Sequence, residues 1–222
     1  MYPDSPTATE QLVQVHSGRR WLPGILNIPA NAEGIVLFAH GSGSGRNSPR
    51  NQFVAYALNE AHLATLLLDL LDEDEADDRQ KVFDIELLAH RLQGAADWLA
   101  QQPETRTLRA GYFGASTGAA AALVAAARQP DMVGALVSRG GRPDLAYDLL
   151  PAVTAPTLLI VGGADDPVVE LNAQAYRRLR CPKQMIVVPG ATHLFPEPGG
   201  LEEVARLAAA WFGRHLPASA GT

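Results

Sequence analysis

The sequence predicts an α/β protein built on a mostly parallel sheet of about eight strands, with helices on both faces and no large lid. Short apolar runs alternate with longer amphipathic stretches along the 222 residues. Several runs, such as IVLFA at 35–39 and ATLLL at 64–68, are continuously apolar, which is typical of strands buried on both faces. The turn SGR joins the first two runs and indicates an antiparallel start.

Each predicted element rests on its own periodicity. The predicted strands are short apolar or alternating runs between turn residues: 12–15, 21–28, 35–39, 64–68, 108–113, 135–137, 157–161 and 184–188. The predicted helices carry apolar residues every three or four positions or are rich in alanine: about 51–61, 82–99, 117–128, 144–150, 170–179 and 201–215. This many elements in 222 residues predicts a single domain over 1–222. The space between 137 and 157 fits one short helix, so we expect an open site.

Charge and composition exclude several classes of function. The net charge is −6, but six of the 24 acidic residues lie in DEDEADD at 72–78, which we interpret as a solvated surface loop. The remaining 18 acids balance the 18 bases, so no basic surface for nucleic acid is expected. No apolar run reaches the ~20 residues of a membrane helix. The polar N-terminus does not resemble a secretion signal, and the single cysteine, Cys181, fits the reducing cytoplasm.

The reactive residues of this chain cluster at one predicted edge of the sheet. In parallel sheets, ligands bind beyond the carboxyl ends of the strands. Five residues share a position just after a predicted strand: His40 with its GSGSG loop, Asp69, Ser116, Asp165 and His193. Separate loops therefore bring nucleophilic, acidic and basic side chains to the same edge.

The central motif is G-x-S-x-G at 114–118, with Ser116 in the middle. It lies between the strand LRAGYF and the helix TGAAAALVAAA, which is the setting of a nucleophile elbow. The small residues Gly114, Ala115 and Gly118 let the backbone turn sharply, so that the serine stands clear of the sheet. The alternative is that Ser116 only caps its helix, but a cap does not require glycine on both sides.

A serine hydroxyl needs a base to become a nucleophile at neutral pH. The histidines downstream of Ser116 are His193 and His215. His193 lies in the turn-rich loop PGATHLFPEPGG between the last strand and the last helix, and can reach over the sheet edge. His215 ends the final helix and is expected on the surface. His193 is therefore the predicted base, with a solvated loop histidine as the alternative.

The acid of such a site should come between the serine and the histidine in the chain. The segment LLIVGGADDPVVE offers Asp165 and Asp166 directly after an apolar strand. Asp165 is favoured by turn geometry, and Asp166 remains the alternative. Asp69 and Asp144 are weaker candidates for the same role.

Acyl transfer also needs hydrogen-bond donors for the oxyanion. The backbone N–H of Thr117 and that of Ser42, in the loop HGSGSGRNS, are the predicted donors. The rival interpretation of this loop is a phosphate cradle, but Arg46 stands where the phosphate-binding pattern requires glycine. His40 is expected to form hydrogen bonds within the loop and not to take part in chemistry.

The remaining polar segments are interpreted as structural. We expect the segment SRGGRPD at 138–144 to be a solvated turn, with an acidic substrate group as the alternative partner of its arginines. No spacing of histidine, cysteine and acidic residues resembles a metal site, so neither a metal nor another cofactor is expected.

Taken in order, FAHGSGSG, GYFGASTG, LLIVGGADDP and PGATHLF resemble the dienelactone-hydrolase-like group of the α/β-hydrolases, from about residue 12 to 216. The resemblance implies the α/β-hydrolase fold. It also implies roles for the residues that match the motifs: Ser116 as nucleophile, Asp165 as acid, His193 as base, and Ser42 with Thr117 as oxyanion hole. Dienelactone hydrolases proper have cysteine in the elbow, and the serine here shifts the expected activity toward a carboxylesterase.

The expected function is therefore the hydrolysis of a small carboxylic ester or lactone through an acyl-enzyme. One alternative is an acyltransferase or thioesterase that uses the same three side chains. Another is a catalytically silent hydrolase-like domain that binds a small molecule or a protein. The pattern does not determine the physiological substrate or the oligomeric state.

Overall fold

A computed structural model describes residues 9–217 and contains one eight-stranded sheet with helices on both faces. The strands, numbered along the chain, are β1 Thr9–Ser17, β2 Arg20–Ile28, β3 Ile35–Ala39, β4 Ala64–Leu68, β5 Ala110–Ala115, β6 Val133–Arg139, β7 Thr157–Gly162 and β8 Lys183–Val188. The helices are α1 Pro49–Glu60, α2 Glu73–Ala76, α3 Arg79–Val82, α4 Ile85–Leu99, α5 Thr117–Arg128, α6 Asp166–Arg178 and α7 Gly200–His215.

The strand order is β1-β2-β4-β3-β5-β6-β7-β8. β1 and β2 form an antiparallel hairpin, and β2 also pairs antiparallel with β4. The six strands from β4 to β8 in the sheet order are parallel to one another. This architecture confirms the predicted fold class, including the antiparallel start.

Burial on both faces explains why the central strands are continuously apolar. β3, β4, β5, β6 and β7 are buried at every position, whereas β2 alternates and the edge strand β8 is largely exposed on one side. Helices α1 and α7 pack on one face, and α4, α5 and α6 on the other. None of the helices in residues 9–217 is both long and apolar enough to cross a membrane.

Helix α5 is rich in alanine because it packs close to the centre of the sheet. Its residues 117–126 are all buried. Small side chains let the helix axis approach β5 and β6, and this places the start of the helix directly after the end of β5. The predicted bounds of this helix, 117–128, are those of the structure.

The segment between β6 and β7 differs from the prediction. The predicted helix at 144–150 is replaced by two 3₁₀ turns, Pro143–Ala146 and Leu150–Ala152. Pro151 lacks the N–H that would continue a helix through this segment. No large lid stands between β6 and β7, as predicted.

The predicted helix over 82–99 begins too early. Val82 ends the separate short helix α3, and Asp84 caps a new helix by accepting a hydrogen bond from the N–H of Leu87 at 3.0 Å. An aspartate at the N-cap satisfies an amide that the first helical turn leaves without a partner. The apolar periodicity continued across this break and concealed it.

The interpretation of the acidic run as a solvated loop is wrong at one residue. Glu75, in α2, is only 4% exposed. Its carboxylate accepts from the guanidinium of the buried Arg91 at 3.1 Å, and Arg20 and Lys81 lie within 4 Å. Arg91 also donates to the backbone carbonyl of Ser17, which ties α4 to the end of β1. The acidic segment therefore anchors the hairpin to the helical layer.

We expect Glu75→Gln to lower the free energy of unfolding by about 3 kcal/mol, because it leaves the buried guanidinium of Arg91 without a counter-charge. Urea denaturation would measure the change. Glu73→Gln, a substitution in the same helix at an exposed residue, should change stability by less than about 0.5 kcal/mol. Equal effects of the two substitutions would contradict a structural role for Glu75.

Candidate active site

Ser116 lies in a strained turn between β5 and α5. Its backbone has φ 52° and ψ −120°, a conformation that non-glycine residues rarely adopt. Its side chain makes no helix-capping hydrogen bond, which removes the capping interpretation. A Cβ at Gly114 would lie 2.4 Å from the Cα of Ala119, and one at Gly118 would lie 2.1 Å from the carbonyl oxygen of Ala39. Both glycines are therefore required for the backbone to turn here.

Asp165 and His193 meet at the same edge of the sheet. The imidazole Nδ1–H of His193 donates to Asp165 Oδ2 at 2.8 Å. Asp165 stands at the N-cap position of α6 but leaves the helix amides without a side-chain cap, so its carboxylate is free to bind the imidazole. The side chains of His193 and Asp165 are 38% and 17% exposed, which gives the site access to solvent. Asp166 is the first residue of α6 and is exposed, and the hydrogen bonds of residues 9–217 include none between it and His193.

The backbone at the end of β6 connects the serine to the histidine. The N–H of Ser116 donates to the carbonyl of Arg139 at 3.3 Å. The next residue, Gly140, lies under the imidazole, because a Cβ there would stand 3.5 Å from Nδ1 of His193. The hydrogen bonds of residues 9–217 include none between the Ser116 hydroxyl and the imidazole. Such contacts are often long in free enzymes and shorten when a substrate binds.

The two residues predicted to supply the oxyanion donors, Ser42 and Thr117, are in contact. The backbone N–H of Ser42 donates to the Thr117 hydroxyl oxygen at 3.1 Å. A Cβ at Gly41 would lie 3.0 Å from the Cβ of Ser116, so the loop after β3 passes directly against the serine. In this structure the Ser42 amide is bound to a side chain, a detail that the sequence prediction did not contain.

His40 holds this loop in place. The N–H of Leu70 donates to its Nε2 at 2.9 Å, so the proton resides on Nδ1, which donates to the Gly41 carbonyl at 3.0 Å. Burial lowers the pKa of His40 and keeps the ring neutral, although Gly41 and the nearby Asp69 act in the opposite direction. The ring therefore links the loop after β3 to the loop after β4, and the loop hydrogen bonds predicted for it are present.

The weaker candidates for the acid have other partners. Asp69 forms an ion pair with Arg46, whose backbone N–H also donates to it at 2.6 Å. Asp144 accepts two hydrogen bonds from the guanidinium of Arg142, at 2.8 and 2.9 Å. His215 ends α7, with its ring packed on Trp211. In residues 9–217, no group of three or more histidine, cysteine or acidic side chains is arranged to hold a metal ion.

This chain is similar to proteins of one known family. The model of the dienelactone hydrolase family matches residues 64–214. The crystal structure of a dienelactone hydrolase from Anabaena variabilis is 56% identical, has a TM-score of 0.92, and covers 94% of this chain and 99% of that one. The chain belongs to the dienelactone hydrolase family. 

A more distant member of the same fold group has the same architecture. Est1E from Butyrivibrio proteoclasticus, in a structure with bound ferulic acid, has a TM-score of 0.80 at 16% identity and covers 91% of this chain and 98% of that one. At this identity the likeness concerns the fold alone.

A curated relative adds a second name. A Mycobacterium tuberculosis protein with the provisional name phosphoribosyl transferase is 57% identical over 211 residues, which is 95% of this chain and 48% of the relative. The chain thus spans about half the length of this curated relative.

A cavity of about 800 Å³ adjoins the loop after β3 in this dienelactone hydrolase family member. Its wall includes residues 40–47, the exposed ring of Trp21, and carboxylates from Asp69 to Asp74. Ser116, Asp165 and His193 do not line it, but Ser42 does, so the cavity lies beside the edge of the sheet that carries these three residues. The size is typical of a small-molecule pocket.

The interpretation of 138–144 as a solvated turn missed Arg139, which belongs to β6 and is only 5% exposed. Its guanidinium reaches Asn51 in α1 at 3.4 Å, and no carboxylate among the described residues lies within ion-pair distance. Burial and the nearby Arg50 lower the pKa of Arg139 to about 10, so it remains a cation at neutral pH. The sequence contained no signal for this burial, because the charge lies at the end of a short apolar strand.

We expect Gly140→Ala to reduce kcat/KM at least tenfold, because a Cβ there would lie 2.9 Å from the His193 carbonyl and the residue has φ 52°. The same substitution should cost about 1–2 kcal/mol of stability. Gly199→Ala is the matched control, since Gly199 also has positive φ, 80°, but a Cβ there would meet nothing within 4 Å. It should lose stability but retain activity, and a loss of activity in both variants would argue against a contact effect at residue 140.

The buried neutral ring of His40 predicts a pH dependence of stability. Because the folded pKa lies below the unfolded value of 6.5, the unfolded chain binds more protons, and stability falls as pH falls below 6.5 toward the folded pKa. His40→Gln removes this linkage. Urea denaturation from pH 8 to 5 should show the stability advantage of the wild type over His40→Gln shrinking as pH falls. A constant difference would contradict the neutral, buried state.

Proposed function

We propose that this chain is a serine hydrolase that cleaves a small carboxylic ester or lactone through an acyl-enzyme. The observation that carries the proposal is the hydrogen bond between His193 Nδ1 and Asp165 beside the strained elbow at Ser116. Nucleophile, base and acid occur in the chain order of α/β-hydrolases. The loop after β3 passes against Ser116, and the backbone N–H of Ser42 in this loop donates to the Thr117 hydroxyl, which supports a role for these two residues next to the nucleophile.

In the acylation step, His193 Nε2 accepts the proton of the Ser116 hydroxyl as its oxygen attacks the ester carbonyl. The Asp165 carboxylate holds Nδ1–H, which keeps Nε2 free as the acceptor and stabilises the imidazolium that forms. The tetrahedral oxyanion receives a hydrogen bond from the backbone N–H of Thr117, and the Ser42 amide, which donates to the Thr117 hydroxyl, lies beside it. The imidazolium then gives its proton to the alkoxide, and the alcohol leaves.

In the deacylation step, the same imidazole accepts a proton from water, whose oxygen attacks the acyl-enzyme carbonyl. Collapse of the second tetrahedral intermediate returns the proton to Ser116 and releases the carboxylic acid. No group beyond the side chains and one water molecule is needed for the atoms and charges to balance. A lactone follows the same steps, with the alcohol and the acid in one product.

The surroundings of the site favour small, water-soluble substrates. The short connection between β6 and β7 provides no apolar lid of the kind that would cover a long acyl chain. The cavity at the loop after β3 offers room for one arm of the substrate next to Ser42. We therefore expect short-chain esters to be better substrates than long-chain emulsions.

The names of two relatives bear on this proposal, one through a match over nearly the full chain and the other through a match over half of a longer protein. The Anabaena variabilis protein, which shares nearly the full length of its chain with this one, is called a dienelactone hydrolase. The Mycobacterium tuberculosis relative is about twice as long, and we propose that the half it shares with this chain carries hydrolase chemistry. The serine in the elbow supports esters over dienelactones as substrates.

Covalent labelling tests the proposal directly. A fluorophosphonate probe should label the wild type and fail to label Ser116→Ala, because the probe traps an activated serine. Ser44→Ala, a substitution of a serine in the loop after β3, should still be labelled. Asp165→Asn should lower kcat for p-nitrophenyl butyrate by roughly 10⁴-fold through loss of the imidazole orientation.

The other outcomes distinguish the alternatives. A folded wild type that is not labelled would favour a silent binding domain. Labelling combined with transfer of the acyl group to an added alcohol in preference to water would favour an acyltransferase. Faster turnover of thioesters than of matched oxygen esters would favour a thioesterase.

A further inference from the structure

The hydroxyl of Thr117 has an unusual position for a helix-terminal threonine. Thr117 is the first residue of α5 and is only 4% exposed. Its hydroxyl oxygen accepts from the backbone N–H of Ser42, which lies 75 residues earlier in the chain, at 3.1 Å. This hydrogen bond joins the nucleophile elbow to the loop that passes against Ser116.

The proton of this hydroxyl has no acceptor. A threonine hydroxyl can donate one hydrogen bond as well as accept. The hydrogen bonds of residues 9–217 include none in which the Thr117 hydroxyl is the donor. Buried donors are normally satisfied, and one that is not calls for a physical reason, such as an absent partner.

The Thr117 hydroxyl lies close to the nucleophile Ser116. Thr117 follows the nucleophile directly, and the loop that carries Ser42 approaches Ser116 so closely that a Cβ on Gly41 would lie 3.0 Å from the serine Cβ. The oxyanion of a tetrahedral intermediate forms on the carbon bonded to the Ser116 oxygen. Because Ser42 follows Gly41 and contacts the Thr117 hydroxyl, that hydroxyl lies on the side of Ser116 along which the loop passes.

We propose that Thr117 is a further catalytic residue whose side-chain hydroxyl donates a hydrogen bond to the oxyanion. This inference rests on the proposed hydrolase function. The Ser42 amide then acts through Thr117: its N–H donates to the hydroxyl oxygen and polarises the O–H that faces the substrate. The backbone N–H of Thr117 supplies a second, independent donor.

The contact between the Ser42 amide and the Thr117 hydroxyl has a second interpretation. The two interpretations predict opposite changes in kcat when the hydroxyl is removed. If the hydroxyl only occupies the Ser42 amide, it competes with the oxyanion for that donor, and its removal frees the amide and raises kcat. If the hydroxyl is itself the donor, its removal lowers kcat. A purely structural contact would leave kcat unchanged once the protein is folded.

Thr117→Val tests this, because valine keeps the shape of the side chain and the backbone N–H but lacks the hydroxyl. We expect kcat for p-nitrophenyl butyrate to fall roughly 10²-fold with KM nearly unchanged, as for the loss of one oxyanion donor. Thr117→Ser restores the hydroxyl and should return kcat to within a few fold of the wild type. Thr117→Ala serves as a second variant without the hydroxyl if valine prevents folding.

A stable analogue of the intermediate provides a readout that a structural role would not change. A trifluoromethyl ketone adds to Ser116 and forms a hemiketal oxyanion, so its inhibition constant should rise in Thr117→Val by about the same factor as kcat falls. The matched control is Thr105→Val, at a buried threonine whose hydroxyl donates to the Leu99 carbonyl at 2.7 Å, away from the site. The control should leave kcat and the inhibition constant unchanged.

Two results would overturn the inference: a kcat of Thr117→Val within twofold of the wild type, or a kcat above it. A loss of kcat in Thr117→Val without any change in the inhibition constant would overturn it as well. Failure of the proposed function looks different, since a wild type that neither takes up the fluorophosphonate nor hydrolyses the ester shows no kcat to compare.

Discussion

The backbone conformation of Ser116 is the constraint on which the rest of this edge depends. A non-glycine residue in such a conformation costs on the order of 1–3 kcal/mol, so the surroundings must hold it there. Three backbone hydrogen bonds do so: the Ser116 N–H donates to Arg139, and the Ser116 carbonyl accepts from Ala119 and Arg142. The glycines at 114 and 118 remove the Cβ atoms that would block the turn. The tight turn, in return, sets the hydroxyl above the ends of the strands.

The loops around the elbow are joined to one another and not only to their own strands. His40 links the loops after β3 and β4, and Ser42 links the loop after β3 to α5. Asp165 and His193 link the loops after β7 and β8. Each connection crosses between two elements that are far apart in the chain. The donors and acceptors are therefore in place before a substrate arrives, which is the arrangement that lets fixed dipoles stabilise a developing charge.

Much of this molecule could be predicted from local pattern. Strands that are covered on both faces have continuous apolar sequences. Because β3 and β4 are strands of this kind, their bounds are the ones predicted. The order of serine, aspartate and histidine after three parallel strands, β5, β7 and β8, predicted that these residues lie at one edge of the sheet. The local sequence pattern did not predict contacts between side chains that are far apart in the chain. Glu75 is buried because Arg91 approaches it from another helix, and nothing in DEDEADD distinguishes one acid from the next. The contact between Ser42 and Thr117 is of the same kind, because it depends on how closely two loops pass.

A further feature that the sequence did not predict is a pair of arginines near the end of β6 that have no carboxylate partner in the described residues. Of the nine buried side-chain atoms without a hydrogen-bond partner in the described residues, two belong to Arg139, at the end of β6, and Arg50, in α1, which lie near each other. A buried cation without a carboxylate weakens a fold, and replacement by an apolar side chain often stabilises it. The buried guanidinium of Arg91, by contrast, forms an ion pair with the carboxylate of Glu75, although its Nε is also one of these nine atoms. The chain can therefore pair its buried charges where only structure is at stake. The buried charge of Arg139, whose carbonyl accepts from the Ser116 N–H, has no such carboxylate, so at the edge of the proposed active site the fold keeps a buried cation that does not favour stability.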